Sequence, residues 1–190
     1  MSLNVKNVDS LSFAGKKALV RVDFNVPLDE HFQVTDDTRI QAPVPTIKKI
    51  LNDGGSAILM SHLGRPKGAP NAKYSMAPVR ARLAELAPGV ELLENLRFNP
   101  GEEGNDPAFV NQLISGIDMY VDDAFGAAHR SHASIVGPSR TLPSAAGRLL
   151  QREVDVLGDL REKPKRPFVA VLGGAKVSDK IGVIEALQER

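Results

Sequence analysis

At 190 residues, with 42% apolar and 25% charged side chains, the sequence has the balance of a soluble globular protein able to bury a substantial core. Twenty-four basic residues against 23 acidic leave a formal charge of +1, and aromatics make up only 5%, which argues against a nucleic-acid binder built on charge and base stacking. The absence of cysteine rules out a disulfide framework, a thiol nucleophile and a cysteine-based metal site, and fits a reducing cytoplasm.

The N-terminal "MSLNVKNVDSL" alternates polar and apolar residues without the apolar core of a signal peptide. No run is long enough to span a bilayer, so no membrane partner is expected. Apolar, β-branched runs then recur as predicted strands: "KALVRVDF", "SAILMS", "VELLENLRF", "DMYVDDAF" and "RPFVAVLGG". Between them lie helical patterns. Residues 46–53 carry Ile47, Ile50 and Leu51 at helical spacing and stop at Gly54-Gly55. Residues 76–87 place Val79, Leu83 and Leu86 on one face behind a Ser75 cap, and Asp106-Pro107 opens a helix with Val110, Leu113 and Ile114 inward. Residues 145–163 form the longest helical candidate, with Leu150, Val154, Leu157 and Leu160 on one stripe. It ends in "REKPKRP", after which a strand is expected over 168–172, followed by "GGAKVSDKIGVIEALQER".

Strands that are apolar at nearly every position and alternate with helices predict an α/β fold, a doubly wound parallel sheet with helices on both faces. The expected organisation is an α/β domain over 1–145, an interdomain helix over 146–163 and, over 164–190, the first βα unit of a second, truncated domain.

In such a sheet, ligands bind beyond the carboxyl ends of the strands. After "ALVRV" come Asp23, Asn25 and then Arg39; after "SAILM", His62 and Arg65; after "VELLEN", Arg97; after "MYVDD", His129, Arg130 and His132. A single arginine after a strand is ordinarily a solvated loop residue. Four at corresponding positions are suited to carboxylate and phosphate, because a guanidinium donates two parallel hydrogen bonds to one group. Asp23 and Asn25 suit a hydroxyl, so the ligand implied is small, anionic at two ends and hydroxylated. His62 is expected to face it, while His129 and His132 serve equally well as structural donors to backbone carbonyls. Asp122 and Asp123 do not suggest a metal site, since adjacent strand residues point to opposite faces. "VLGGAKVSDK" sets Gly173 and Gly174 before a helix whose Lys176 and Lys180 share a face, either an anion-binding nest or a tight turn with two surface lysines.

The successive segments "RVDFNVP", "SHLGRPKG", "LLENLRFNPGEEGNDPAF", "VDDAFGAAHRSHAS" and "VLGGAKVSDKI" resemble, in order, the signatures of the phosphoglycerate kinase family. The resemblance implies a cytoplasmic, monomeric, two-lobed glycolytic transferase that moves a phosphoryl group reversibly between 1,3-bisphosphoglycerate and ADP. By position, Asp23, Asn25, Arg39, His62, Leu63, Gly64, Arg65, Arg97 and Arg130 match the family's 3-phosphoglycerate site. Gly173, Gly174, Lys176 and Lys180 match residues that meet Mg-ATP or Mg-ADP. Arg39 and Lys176 would stabilise the transferring phosphoryl group. Two departures accompany the likeness. The family is about twice as long, its C-terminal lobe supplying the nucleotide pocket, so this chain alone is expected to be inactive. Members also carry a further strand and helix where "APGV" here joins a helix directly to the Glu91 strand. A non-catalytic anion-binding module, or one half of a split enzyme, is the rival reading.

Overall fold

The computed structural model describes residues 6–173 and 181–188. The chain divides into two compact units, one of residues 5–151 and one containing the described residues from 152 onward. In the first, five parallel strands run β1 (Lys17–Val22), β2 (Ser56–Met60), β3 (Glu91–Leu92), β4 (Met119–Asp123) and β5 (Ser144–Ala146), in the spatial order β3-β2-β1-β4-β5. Helices α1 (Thr38–Gln41), α2 (Val44–Asn52) and α3 (Ala77–Leu86) precede β2 and β3. Helices α4 (Pro107–Ile114), α5 (Phe125–Ala128) and α6 (Ala133–Thr141) flank β4.

The strand β1 explains the two-layer packing. Ala18 through Val22 are all buried, so alternate residues feed opposite faces. Ala18, Val20 and Val22 join Ile47 and Ile50 of α2 and Val79 and Leu83 of α3 in one core. Leu19 joins Met60, Leu96, Leu113 of α4 and Tyr120 in a second, smaller core on the other face. At about 25 cal/mol for each Å² of apolar surface, these two cores are the main source of the unit's stability. The parallel sheet and both covered faces agree with the expected α/β class.

Element ends follow local chemistry. Helix α2 stops before Gly54, whose φ of 82° is open to glycine. Asp106 accepts a hydrogen bond from the Ala108 N–H at the start of α4 (2.8 Å). Ser75 sits one residue further out than a cap, its Oγ accepting from the Ala77 N–H at 3.2 Å.

Three sequence expectations are corrected. Of "VELLENLRF", only Glu91 and Leu92 form a strand. The Asn95 side chain accepts from the Arg97 N–H and turns the chain into a short 3-10 segment, Leu96–Phe98. The helix predicted over 145–163 is α7, Arg148–Glu162, because Ser144–Ala146 pair with β4 as an edge strand instead. Residues 168–172 form no strand. A parallel strand requires a neighbour for its N–H and C=O groups, and no described strand lies beyond β5 in sequence. Accordingly Val169 and Val171 stand 78% and 93% exposed. The second unit also contains α8, Ile181–Gln188. Among the described residues no helix is long and apolar enough to cross a membrane.

Candidate functional site

Strand order reverses direction between β1, whose crossover leads to β2, and its other neighbour β4. The crevice beyond the carboxyl ends of those two strands is where an open α/β sheet receives ligands. Phe24 N–H donates to Ser61 Oγ (2.8 Å), tying the end of β1 to the end of β2 and holding Asp23, Asn25 and His62 at one level.

Asp23 accepts from Arg39 Nη1 at 2.9 Å, an ion pair whose arginine is half exposed and whose carboxylate is largely covered. Gly126 of α5 approaches this carboxylate so closely that a Cβ there would lie 2.7 Å from Asp23 Oδ2. Asn25 Oδ1 accepts from the Gly64 N–H at 2.9 Å. Asn95 holds Leu63 from both sides, its Oδ1 accepting from Leu63 N (3.3 Å) and its Nδ2 donating to Leu63 O (2.7 Å). Gly64 has φ 60° and lies against the Tyr74 ring, so a side chain here meets both backbone strain and steric conflict.

Inside this rim is a buried basic cluster. Arg97 is 6% exposed and donates from Nη1 to Gly64 O at 2.8 Å. Its Nε lies 3.2 Å from Glu103 Oε1 but off the N–H axis, so the contact is an ion pair and not a hydrogen bond. Burial holds its guanidinium below the ordinary value, against the opposing pull of Glu103. His62 is 7% exposed, and its Nδ1 lies 3.1 Å from Nη2 of the fully buried Arg21. Burial, then the facing charges of Arg21, Arg97, Arg130 and His132, pushes its imidazole down to about 2, so the ring is neutral at physiological pH. His132 is buried beside Glu102, 3.6 Å from its Oε1, whereas His129 is exposed.

Arg65 is exposed and Arg130 half-buried, and neither side chain makes a hydrogen bond or ion pair within the described residues. A recess of about 190 Å³ adjoins Asn25 and Gly64, lined also by Phe32, Lys73 and Tyr74. A larger cavity of about 450 Å³ lies elsewhere, beside Asp37 and Arg82. These two charges already satisfy each other at 2.7 Å, so we place the chemistry at the sheet edge instead.

The predicted residues Asp23, Asn25, Arg39, His62, Leu63, Gly64 and Arg97 are thus linked by contacts at one edge, and Arg130 acts on His62 electrostatically. Gly173 is exposed, with open space where a Cβ would stand, while Gly174, Lys176 and Lys180 lie outside the described residues. Asp122 and Asp123 diverge. Asp123 is buried, its Oδ1 accepting from the Leu149 and Leu150 N–H groups at the start of α7 (2.9 and 3.1 Å). Among the described residues no group of three or more His, Asp or Glu is placed to hold a metal ion. Sequence reading missed Arg21, Asn95, Glu102 and Ser134. Arg21 had a visible signal, a cation within the otherwise apolar "ALVRV"; the others have none.

The chain matches the sequence profile of the family described as phosphoglycerate kinase over residues 8–91 and 87–190. It is 49% identical to phosphoglycerate kinase of Chloroflexus aurantiacus over 211 residues and 51% identical to that of Rubrobacter xylanophilus over 208, covering 97% of this chain and 53% of each relative. In structure it resembles phosphoglycerate kinase from Coxiella burnetii, with a TM-score of 0.90 at 34% identity, covering 98% of this chain and 52% of that one. The corresponding values for the Pyrococcus horikoshii enzyme are 0.85, 29%, 97% and 53%. The chain spans about half the length of the curated relatives it matches. An aligned stretch of 211 residues also exceeds the 190 of the whole chain, so the Chloroflexus protein carries residues without counterpart here. The two profile segments overlap at 87–91, the "APGV" between α3 and β3 together with Glu91, the first residue of β3. With matches across nearly its whole length, the chain belongs to the phosphoglycerate kinase family.

Proposed function

We propose that the sheet-edge cluster binds 3-phosphoglycerate and 1,3-bisphosphoglycerate, and that the chain supplies the acid-substrate lobe for reversible phosphoryl transfer to ADP. The observation that carries this reading is two cations, Arg65 and Arg130, whose side chains have no carboxylate partner among the described residues, Arg130 acting on the buried His62 and Arg65 following Gly64 at the sheet edge. Unpaired guanidinium groups at a crevice favour phosphate and carboxylate. Asn25 and the Asp23–Arg39 pair offer groups for the ligand's hydroxyl. Arg97 serves from below, positioning the Gly64 carbonyl and adding positive potential.

Phosphoryl transfer of this kind depends on positioning and charge neutralisation. Arg39 and Lys176 are the groups assigned to the transferring phosphoryl. Gly173, Gly174, Lys176 and Lys180 are assigned to the nucleotide, which enters as its Mg²⁺ complex, a substrate. The reading divides the chain into an acid-binding domain over 1–145, a connecting helix over 146–163 and the start of a nucleotide domain over 164–190. It carries the cytoplasmic, monomeric setting implied by the family likeness, and it holds that these 190 residues bind the acid without turning it over.

Calorimetric titration of the chain with 3-phosphoglycerate, alongside Arg65→Ala, tests this. Saturable binding weakened about tenfold or more by the substitution, the size of one charge-assisted hydrogen bond, supports the site. A folded chain that binds no 3-phosphoglycerate would overturn it. Turnover by this polypeptide alone would overturn the inactivity, and turnover restored by an added C-terminal lobe would favour the split-enzyme reading.

A further inference from the structure

Arg21 has no exposed surface, and each nitrogen of its guanidinium makes one hydrogen bond. Nε donates to Ser134 Oγ (3.0 Å), Nη1 to the Val22 carbonyl and Nη2 to His62 Nδ1 (3.1 Å). A guanidinium has donors only, so each direction is settled. His62 Nδ1 must offer a lone pair, and in a neutral ring the hydrogen then resides on Nε2. Ser134 Oγ accepts from Arg21, so its own proton goes to Glu102 Oε1 (2.6 Å), while Ser134 N–H donates to Glu102 Oε2 (3.0 Å). Glu102 is fully buried. The charge of Arg21 is thereby balanced at one remove, through a hydroxyl.

The remaining surroundings of His62 act in the same sense. Arg97 from the segment after β3, and Arg130 and His132 from the segment between α5 and α6, all disfavour a second proton on the ring. The largest influences on it are burial and these cations, while Glu102 is engaged by Ser134. His62 Nε2 has no hydrogen-bond partner among the described residues and is not sealed from solvent.

We infer that Arg21, held in place by Ser134 and Glu102, fixes His62 as the neutral Nε2–H tautomer, so that His62 meets the ligand as an uncharged hydrogen-bond donor. Arg21 is then a positioning residue, acting through His62. The inference rests on the reading of His62 as ligand-facing and adds a rule to it. The ligand atom opposite Nε2 must be an acceptor, a carboxylate, phosphate or hydroxyl oxygen, while a group able only to donate is rejected. The attraction of the site for anions comes from its arginines and not from an imidazolium.

Long-range ¹H–¹⁵N correlation spectra of the unliganded, ¹⁵N-histidine-labelled chain report tautomer and protonation directly. The His62 signal is assigned by its loss in His62→Gln, with His31, His129 and His132 as internal comparisons. The expected spectrum shows the Nε2–H pattern for His62 and no titration between about pH 5 and 8. An Nδ1–H pattern, or a titration in that range, overturns the inference. In Arg21→Gln, His62 is expected to show both tautomers and to acquire a titration, with Arg21→Lys restoring the single Nε2–H form. An Arg21→Gln spectrum identical to wild type overturns the role of Arg21. Should the Arg21 variants not fold, the wild-type spectrum still decides the tautomer. Because the spectra contain no ligand, their outcome is independent of whether 3-phosphoglycerate binds. Binding with the wrong tautomer fails this inference alone; the right tautomer without binding fails the functional reading alone.

Discussion

The runs "ALVRV" of β1 and "FVAVL" of residues 168–172 have nearly the same apolar content, yet the first is wholly buried and the second leaves Val169 and Val171 in solvent. The first lies between β2 and β4, each paired residue by residue in register, and both of its faces are covered. For the second, no described strand offers a backbone partner. Apolar, β-branched composition therefore expresses a capacity for strand, and neighbouring strands decide whether it is realised. Within the first unit, β3 illustrates the intermediate case. It pairs only with β2 and is reduced to Glu91 and Leu92. The connection from α3 is only Ala87–Val90, where the two matched segments of the family profile overlap.

The sharpest way to break this comparison is a matched pair of truncations. Leu59→Ala removes a fully buried side chain of β2 and is expected to cost about 2–5 kcal/mol. Leu172→Ala, at a position 46% exposed, is expected to stay within about 0.5 kcal/mol. Denaturant melts of both variants measure the difference; equal losses would mean that the second segment is packed after all.

Acid exposes a second contrast, between two buried titratable groups of the first unit. The unfolded chain protonates His62 below about 6.5, but the folded chain resists until about 2. Between these values the unfolded state holds more protons, so stability falls on acidification by up to about 1.4 kcal/mol per pH unit from this residue. His62→Gln is expected to flatten that decline in melts across the range.

Asp123 has the opposite sign. Burial, partly offset by the Thr46 hydroxyl and the Leu150 and Leu149 N–H groups, raises its carboxyl from 3.8 to about 6. Between these values the folded state holds the extra proton, so stability rises as pH falls through that window. Asp123→Asn should therefore steepen the acid loss there, and a flatter curve would contradict the assignment.

The smallest effect is expected at the start of α7. Arg148 N–H donates to Thr46 Oγ1 at 2.9 Å. Keeping this acceptor with Thr46→Ser should change little, whereas removing it with Thr46→Val should cost about 1 kcal/mol, as for a lost buried hydrogen bond. Amide exchange at Arg148 reports which occurs.

Much of the candidate site is legible because its residues come in short runs directly after strands. "DFN" and "HLGR" follow β1 and β2, and a parallel sheet brings those ends to one edge. Its internal wiring is not legible. Arg97 reads as a strand-end cation like Arg65, yet it is buried and committed to Gly64 O, while Arg65 is exposed. Ser134 and Glu102 carry no spacing signal, since Ser134 meets Arg21, and Glu102 meets Ser134, across sequence separations that local pattern does not encode.

From the sequence alone came the alternation of buried strands and amphipathic helices, hence the α/β class, and the ordered motifs that identify the family. Both are consequences of local spacing and residue type. The tertiary structure alone decided which cations are free and which are structural, that His62 is held neutral, and that residues 168–172 remain outside a sheet. Each of these depends on desolvation and on hydrogen-bond partners contributed by distant parts of the chain.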